Sequence, residues 1–164
     1  MKDNIVLIGM PSCGKSTIGV VLAKAMGYRF VDSDLVIQER TGKLLSEIIE
    51  EEGLDIFNQI ENEVNATLDY HRAVIATGGS VIYGEQAMEH LRSIGRIVYI
   101  ELPFNTLQER IGDLNARGVS IKEGQTFEEL YQERKPLYEK YADITISTEG
   151  LTIREVVYRL KEKL

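Results

Sequence analysis

The octapeptide Gly9-Met10-Pro11-Ser12-Cys13-Gly14-Lys15-Ser16 constrains this chain more than any other stretch. It fits G-x-x-x-x-G-K-[ST], a phosphate-binding loop that needs a strand before it and a helix after it. Both are present. Asn4-Ile5-Val6-Leu7-Ile8 is an apolar run of strand length. Thr17 to Met26 places Ile18, Val21, Leu22 and Ala25 on one helical face and stops at Gly27. Gly9 and Gly14 let the loop turn where a side chain would clash. Its N–H groups, with the positive end of the following helix, then form an anion nest. Ser12, Cys13, Gly14, Lys15, Ser16 and Thr17 are therefore expected to bind nucleotide. Lys15 reaches the β- and γ-phosphates, and the Ser16 hydroxyl is an oxygen ligand suited to Mg²⁺.

The remainder alternates strands with helices. Strands are expected at Tyr28–Val31, Ala73–Ala76, Ile97–Ile100 and Asp143–Ser147, making five with the first. Helices are expected at Leu35–Arg40, stopped near Gly42, at Leu44–Glu51, and from Leu54, where Ile56, Ile60, Val64 and Leu68 form an apolar stripe. Others fall at Gln86–Arg92, Phe104–Leu114, Thr126–Tyr141 and Thr152–Leu164. Capping boxes are expected at Thr106/Glu109, Thr126/Glu129 and Thr152/Glu155. Pro136 is expected to bend or interrupt its helix. The alternation implies α/β architecture: three α/β/α layers around a five-stranded parallel sheet, with the ligand at the carboxyl ends of the strands. The phosphate loop, Asp32-Ser33-Asp34 and Gly78-Gly79-Ser80 all fall at such ends. The two aspartates are placed to serve a site there, or simply to cap the next helix.

Composition narrows the partners. At 164 residues, one domain spanning 1–164 is expected. A net charge of −7 argues against nucleic acid, and no apolar run approaches a membrane span. The first four residues lead straight into the first strand, leaving no room for a signal peptide. With one cysteine, this suggests a cytoplasmic protein, a monomer by default. His71 and His90 have no partner at metal-ligand spacing. The N-K-x-D and D-x-x-G motifs of GTPases are missing. A small kinase acting on a small acceptor remains.

The ordered set of motifs resembles the shikimate kinase family. It comprises Lys15-Ser16-Thr17-Ile18-Gly19, Asp32-x-Asp34, the helix with Phe57 and Glu61, and Ala76-Thr77-Gly78-Gly79. Arg110, the Arg117 loop, Arg134-x-Pro136-Leu137-Tyr138 and Ala142-Asp143 follow. The resemblance implies a nucleoside monophosphate kinase-like fold and transfer of phosphate from ATP, with Mg²⁺, to a shikimate hydroxyl. It implies an acceptor-binding helical region at about 35–70 and a lid loop at about 113–125. By that resemblance Asp34 holds the acceptor hydroxyl, Asp32 binds Mg²⁺ through water, and Gly78 and Gly79 border the acceptor. Arg134 grips its carboxylate, Arg117 on the lid meets the transferring phosphate, and Arg110 lies against adenine.

The acceptor side departs from the family pattern. The arginine expected after Phe57, a second carboxylate clamp, is Asn58, so Glu61 has lost its partner. The third glycine of the Gly-Gly-Gly run is Ser80, and the lid reads Arg117-Gly118 in place of Arg-Pro. Three readings stay open: a shikimate kinase with a rearranged clamp, a kinase of another small hydroxylated metabolite, and a catalytically silent nucleotide-binding protein.

Overall fold

The computed structural model describes residues 2–112 and 118–164. Strand β1 (Asn4–Ile8) is buried along its whole length and forms the centre of the sheet. It pairs in parallel with β3 (Ala73–Ala76) on one side and β4 (Gly95–Glu101) on the other. β2 (Arg29–Asp32) and β5 (Ile144–Ser147) complete the order β2-β3-β1-β4-β5, all parallel. A strand buried on both faces needs a near-continuous apolar run, which β1, β3 and the middle of β4 supply.

Parallel pairing requires crossovers, and helices make them. They are α1 (Lys15–Met26), α2 (Ser33–Thr41), α3 (Leu45–Glu52), α4 (Leu54–Ala66), α5 (Glu85–Ile94), α6 (Phe104–Arg110), α7 (Phe127–Tyr141) and α8 (Ile153–Lys163). Gly42 closes α2 in the left-handed conformation, as its place after Thr41 predicts. Thr126 caps α7 through Glu129 N–H, and Thr152 with Glu155 forms the full reciprocal box on α8.

Register explains why the polar strand ends meet. Asp32 of β2 lies beside Ala76 of β3, which lies beside Leu7 of β1. The residues that follow therefore emerge together along one edge: Gly9 onward, Ser33-Asp34, and Thr77 to Ser80.

Four local expectations need correction. First, Pro136 does not interrupt α7, because Leu130, Tyr131, Arg134 and Tyr138 anchor the turns on both sides of it. Second, Thr106 is not a cap: α6 begins at Phe104, so the Thr106 hydroxyl projects sideways and donates to Glu149 Oε2 at 2.9 Å. Third, α6 ends at Arg110, short of Leu114, which lies outside the described residues. Fourth, α4 buries Phe57, Glu61, Val64 and Asn65, while Ile56 is exposed. The expected stripe holds at Val64 and Leu68, which are buried, and at Ile60, which packs against the core, and it fails at Ile56. A 3-10 turn, Val81–Tyr83, was not expected.

Candidate active site

The phosphate loop holds three residues with positive φ: Gly9 (152°), Ser12 (67°) and Gly14 (96°). At Gly9 a methyl group would sit 2.8 Å from the Ile100 carbonyl oxygen, so close approach as well as φ demands glycine. Lys15 is 8% exposed, and its Nζ donates to the carbonyls of Gly9 (2.7 Å) and Met10 (2.9 Å). The ammonium thus lies across the loop. Cys13 is buried beneath it, with Sγ 3.6 Å from Lys15 Nζ. Ser16 Oγ donates to Asp32 Oδ2 at 3.4 Å, which brings a hydroxyl and a carboxylate together at the start of α1.

Asp32 does both things its sequence position allows. Its Oδ1 caps α2 by accepting from Asp34 N–H at 3.0 Å, and its Oδ2 faces Ser16. Asp34, in the first turn of α2, points into the cleft and has its Oδ1 enclosed without a hydrogen-bond partner. Burial, then the Asp32 charge, push its carboxyl up to about 6 against the pull of Lys15. Such a carboxylate accepts a hydrogen bond from an incoming hydroxyl.

Gly78 and Gly79 are required by what crowds them. A methyl on Gly78 would lie 2.7 Å from both Asp34 Oδ1 and Glu61 Oε2. One on Gly79 would lie 2.9 Å from Arg134 Nη1 and from Pro11 Cδ. Arg134 is 1% exposed; its Nη2 donates to the Ser120 carbonyl at 2.6 Å, and its guanidinium stands 5.4 Å from the Tyr83 ring centre. One turn along α7, Tyr138 Oη donates to the Gly79 carbonyl at 2.5 Å. The guanidinium is held by its carbonyl, its ring and the glycine loop.

Glu61 has a partner after all, and it is the other departure from the family pattern. Ser80 Oγ donates to Glu61 Oε1 at 2.5 Å. Burial, with the Asp34 charge, raises this acid to about 7; the Ser80 hydrogen bond, Arg134 and Lys15 work the other way.

These residues border one cleft of about 500 Å³. Of the expected site residues, Ser12, Gly14, Lys15, Ser16, Thr17, Asp34, Gly78, Gly79, Arg110 and Arg134 line it. Asp32 stands behind Ser16, and Cys13 faces inward under the loop. Asn58 does not line the cleft: its Oδ1 accepts from Ser120 Oγ at 3.1 Å. Arg117 lies outside the described residues.

Sequence reasoning missed Ser80 as the partner of Glu61, missed Ser120, and placed Tyr138 in a motif without giving it a role. Tyr138 was readable, because it follows Arg134 by four residues and so shares its helix face. Ser120 carried no signal, since it holds Arg134 through a backbone carbonyl.

A phosphate loop, an enclosed carboxylate and a buried guanidinium in one cleft are the arrangement of a P-loop kinase of small molecules. The comparisons narrow the class. The shikimate kinase family model matches residues 11–164. A shikimate kinase of Clostridium botulinum (strain Eklund 17B / Type B) is 40% identical, covering 99% of this chain and 97% of that one. One of Thermodesulfovibrio yellowstonii is also 40% identical, over 96% of this chain and 92% of its own. Among solved structures, shikimate kinase from Acinetobacter baumannii in complex with shikimate superposes with a TM-score of 0.85 at 28% identity, covering 99% of this chain and 93% of that one. The Aquifex aeolicus enzyme gives 0.81 at 32% identity, over 97% and 94% of the two chains. The chain belongs to the shikimate kinase family, whose members are ATP-dependent small-molecule kinases.

Proposed function

We propose that this protein transfers the γ-phosphoryl group of ATP to the 3-hydroxyl of shikimate. One observation carries the reading: one cleft is lined by the phosphate loop and by Asp34, Gly79 and Arg134. Phosphoryl transfer asks for positioning and charge neutralisation more than covalent chemistry. The loop N–H groups and Lys15 hold the phosphates, and Arg110 borders the adenine end. Asp34 orients the acceptor hydroxyl and takes its proton. Arg134 receives the acceptor carboxylate, and Gly79 offers its N–H.

The donor set fits Mg²⁺. Ser16 Oγ and Asp32 Oδ2 are hard oxygen donors already turned toward each other, and their hydrogen bond leaves a site that an oxygen-seeking cation would organise. Bound there, Mg²⁺ would neutralise charge on the phosphates. The acid excess and the lone cysteine support a cytoplasmic setting. A monomer is the reading for this size, and gel filtration tests it.

A second reading, phosphorylation of another small hydroxylated metabolite, is favoured by Asn58 standing outside the cleft. A coupled ADP-release assay separates the two, run with MgATP alone, with shikimate, and with a panel of polyols and hydroxy acids. Shikimate-dependent turnover is expected. Silence with shikimate and turnover on another acceptor would replace the first reading with the second.

A further inference from the structure

Glu61 is an acid in a setting that disfavours its charge. It is 2% exposed on α4, and among the described residues every ion pair lies elsewhere. Among the described residues, the one hydrogen bond to its carboxyl is the 2.5 Å contact from Ser80 to Oε1. Its Oε2 and Asp34 Oδ1 each lie 2.7 Å from where a methyl on Gly78 would sit, so the two carboxyl groups are neighbours in the cleft. Charged groups act on Glu61 from three helices: Asp34 of α2, Lys15 of α1 and Arg134 of α7. Around α4, α3 turns Leu45 and Ile48 inward, α5 meets Asn62 through Gln86 and Ala87, and the 3-10 turn brings Tyr83 against Arg134.

An ionised Glu61 would add a second negative charge beside Asp34. It would also share the field of Arg134, the buried guanidinium that an acceptor carboxylate needs. A neutral carboxylic acid removes that competition. The Ser80 hydroxyl suits either state, since it can donate to a carboxylate or accept from an acid O–H. We propose that Glu61, seated by Ser80, is a specificity-determining residue of the acceptor site, one that must be a neutral carboxylic acid for an anionic acceptor to bind against Arg134. This deepens the shikimate reading and rests on it. The rise of Glu61 to about 7 brings the required protonation into the neutral range.

Acceptor affinity then falls as pH rises through 7, because the competent fraction of the protein falls. Binding above that pH carries proton uptake with it. The test is calorimetric titration of shikimate into the full chain between pH 6.5 and 9, in two buffers of different ionisation enthalpy. The wild-type Kd is expected to weaken about tenfold from pH 6.5 to pH 8. Close to one proton should be taken up per shikimate bound at pH 8. Glu61→Gln, which cannot ionise, should show a flat Kd and no uptake. Ser80→Ala removes a donor that favours the ionised form, so it should move the fall in affinity to higher pH. A merely structural serine would lower the melting temperature and leave the pH midpoint in place. A flat wild-type profile, or the same fall in Glu61→Gln, overturns the inference. The wild-type arm decides even if a variant does not fold. Binding with a flat profile overturns this inference alone; absence of shikimate binding at every pH overturns the acceptor reading together with it.

Discussion

Replacing Glu61 by glutamine should flatten the dependence of folding stability on pH. The magnitude follows from burial. The Glu61 carboxyl titrates near 4.5 when exposed and at about 7 in the fold. A folded-state value above the unfolded one means that the folded protein binds the proton more tightly. Its stability is then greatest below about 4.5 and declines as pH rises toward 7. Above 7 the full cost of a buried charge is present. At about 1.36 kcal/mol per pH unit, the gap between those values corresponds to roughly 3 kcal/mol. Glutamine keeps the shape and lets Ser80 donate to its Oε1, but it does not titrate. Its extra amide hydrogens shift the whole curve by a constant and leave the slope to the carboxylate. Thermal melts of both proteins by circular dichroism from pH 4.5 to 8.5 read the effect. The difference in melting temperature should move in favour of the variant by about 6–12 °C across that range, at about 2–4 °C per kcal/mol for a chain of this size. Asp34 titrates in both proteins, so only the part of its titration that depends on the neighbouring Glu61 charge enters the difference. Parallel curves would show that Glu61 titrates alike in the folded and unfolded states, and the reasoning from burial would fail.

Arg134→Met should raise the KM for shikimate about 10- to 100-fold, since a charge-assisted hydrogen bond is worth roughly 1.5–3 kcal/mol. The KM for ATP should hardly move; steady-state kinetics that show both rising equally would remove Arg134 from the acceptor side. Gly78→Ala forces a methyl 2.7 Å from two enclosed carboxylate oxygens and should cost about 1–3 kcal/mol in urea denaturation, with a matching loss of kcat/KM for shikimate. Wild-type stability in that variant would mean that the two acids have room to part. Asn58→Arg puts a cation three residues before Glu61 on α4, within reach of it. It should tighten shikimate binding about 10- to 100-fold and return Glu61 toward its ordinary range, removing the fall in affinity above pH 7. A fall in turnover on some other acceptor instead would favour the second reading of the site.

What was legible in the sequence is what local chemistry dictates. The phosphate loop announces itself through glycines whose conformation nothing else tolerates, and β3 is a run that only a doubly covered strand needs. The aspartates and glycines at strand ends were readable because parallel register delivers every strand's carboxyl end to one edge. What was not legible depends on partners distant in sequence. Repeats of four drift about 40° per step on a helix of 3.6 residues per turn, so a stripe from Ile56 to Leu68 rotates by about a third of a circle. The face that α4 does bury, Phe57-Glu61-Val64-Asn65, keeps the closer 3–4 spacing, with two polar members. Composition alone would have placed those two outside. They are inside because Ser80, nineteen residues away, supplies a hydroxyl to Glu61, and because Asn65 Nδ2 donates to the Glu61 carbonyl at 2.8 Å. Asn58 and Ser80 read in the sequence as departures on the acceptor side. In three dimensions each has a partner: Asn58 accepts from Ser120, and Ser80 donates to the acid that no cation partners among the described residues. Under the proposal above, Arg134 and the protonation state of Glu61 together read an acceptor's charge, and selectivity depends on pH as well as on shape.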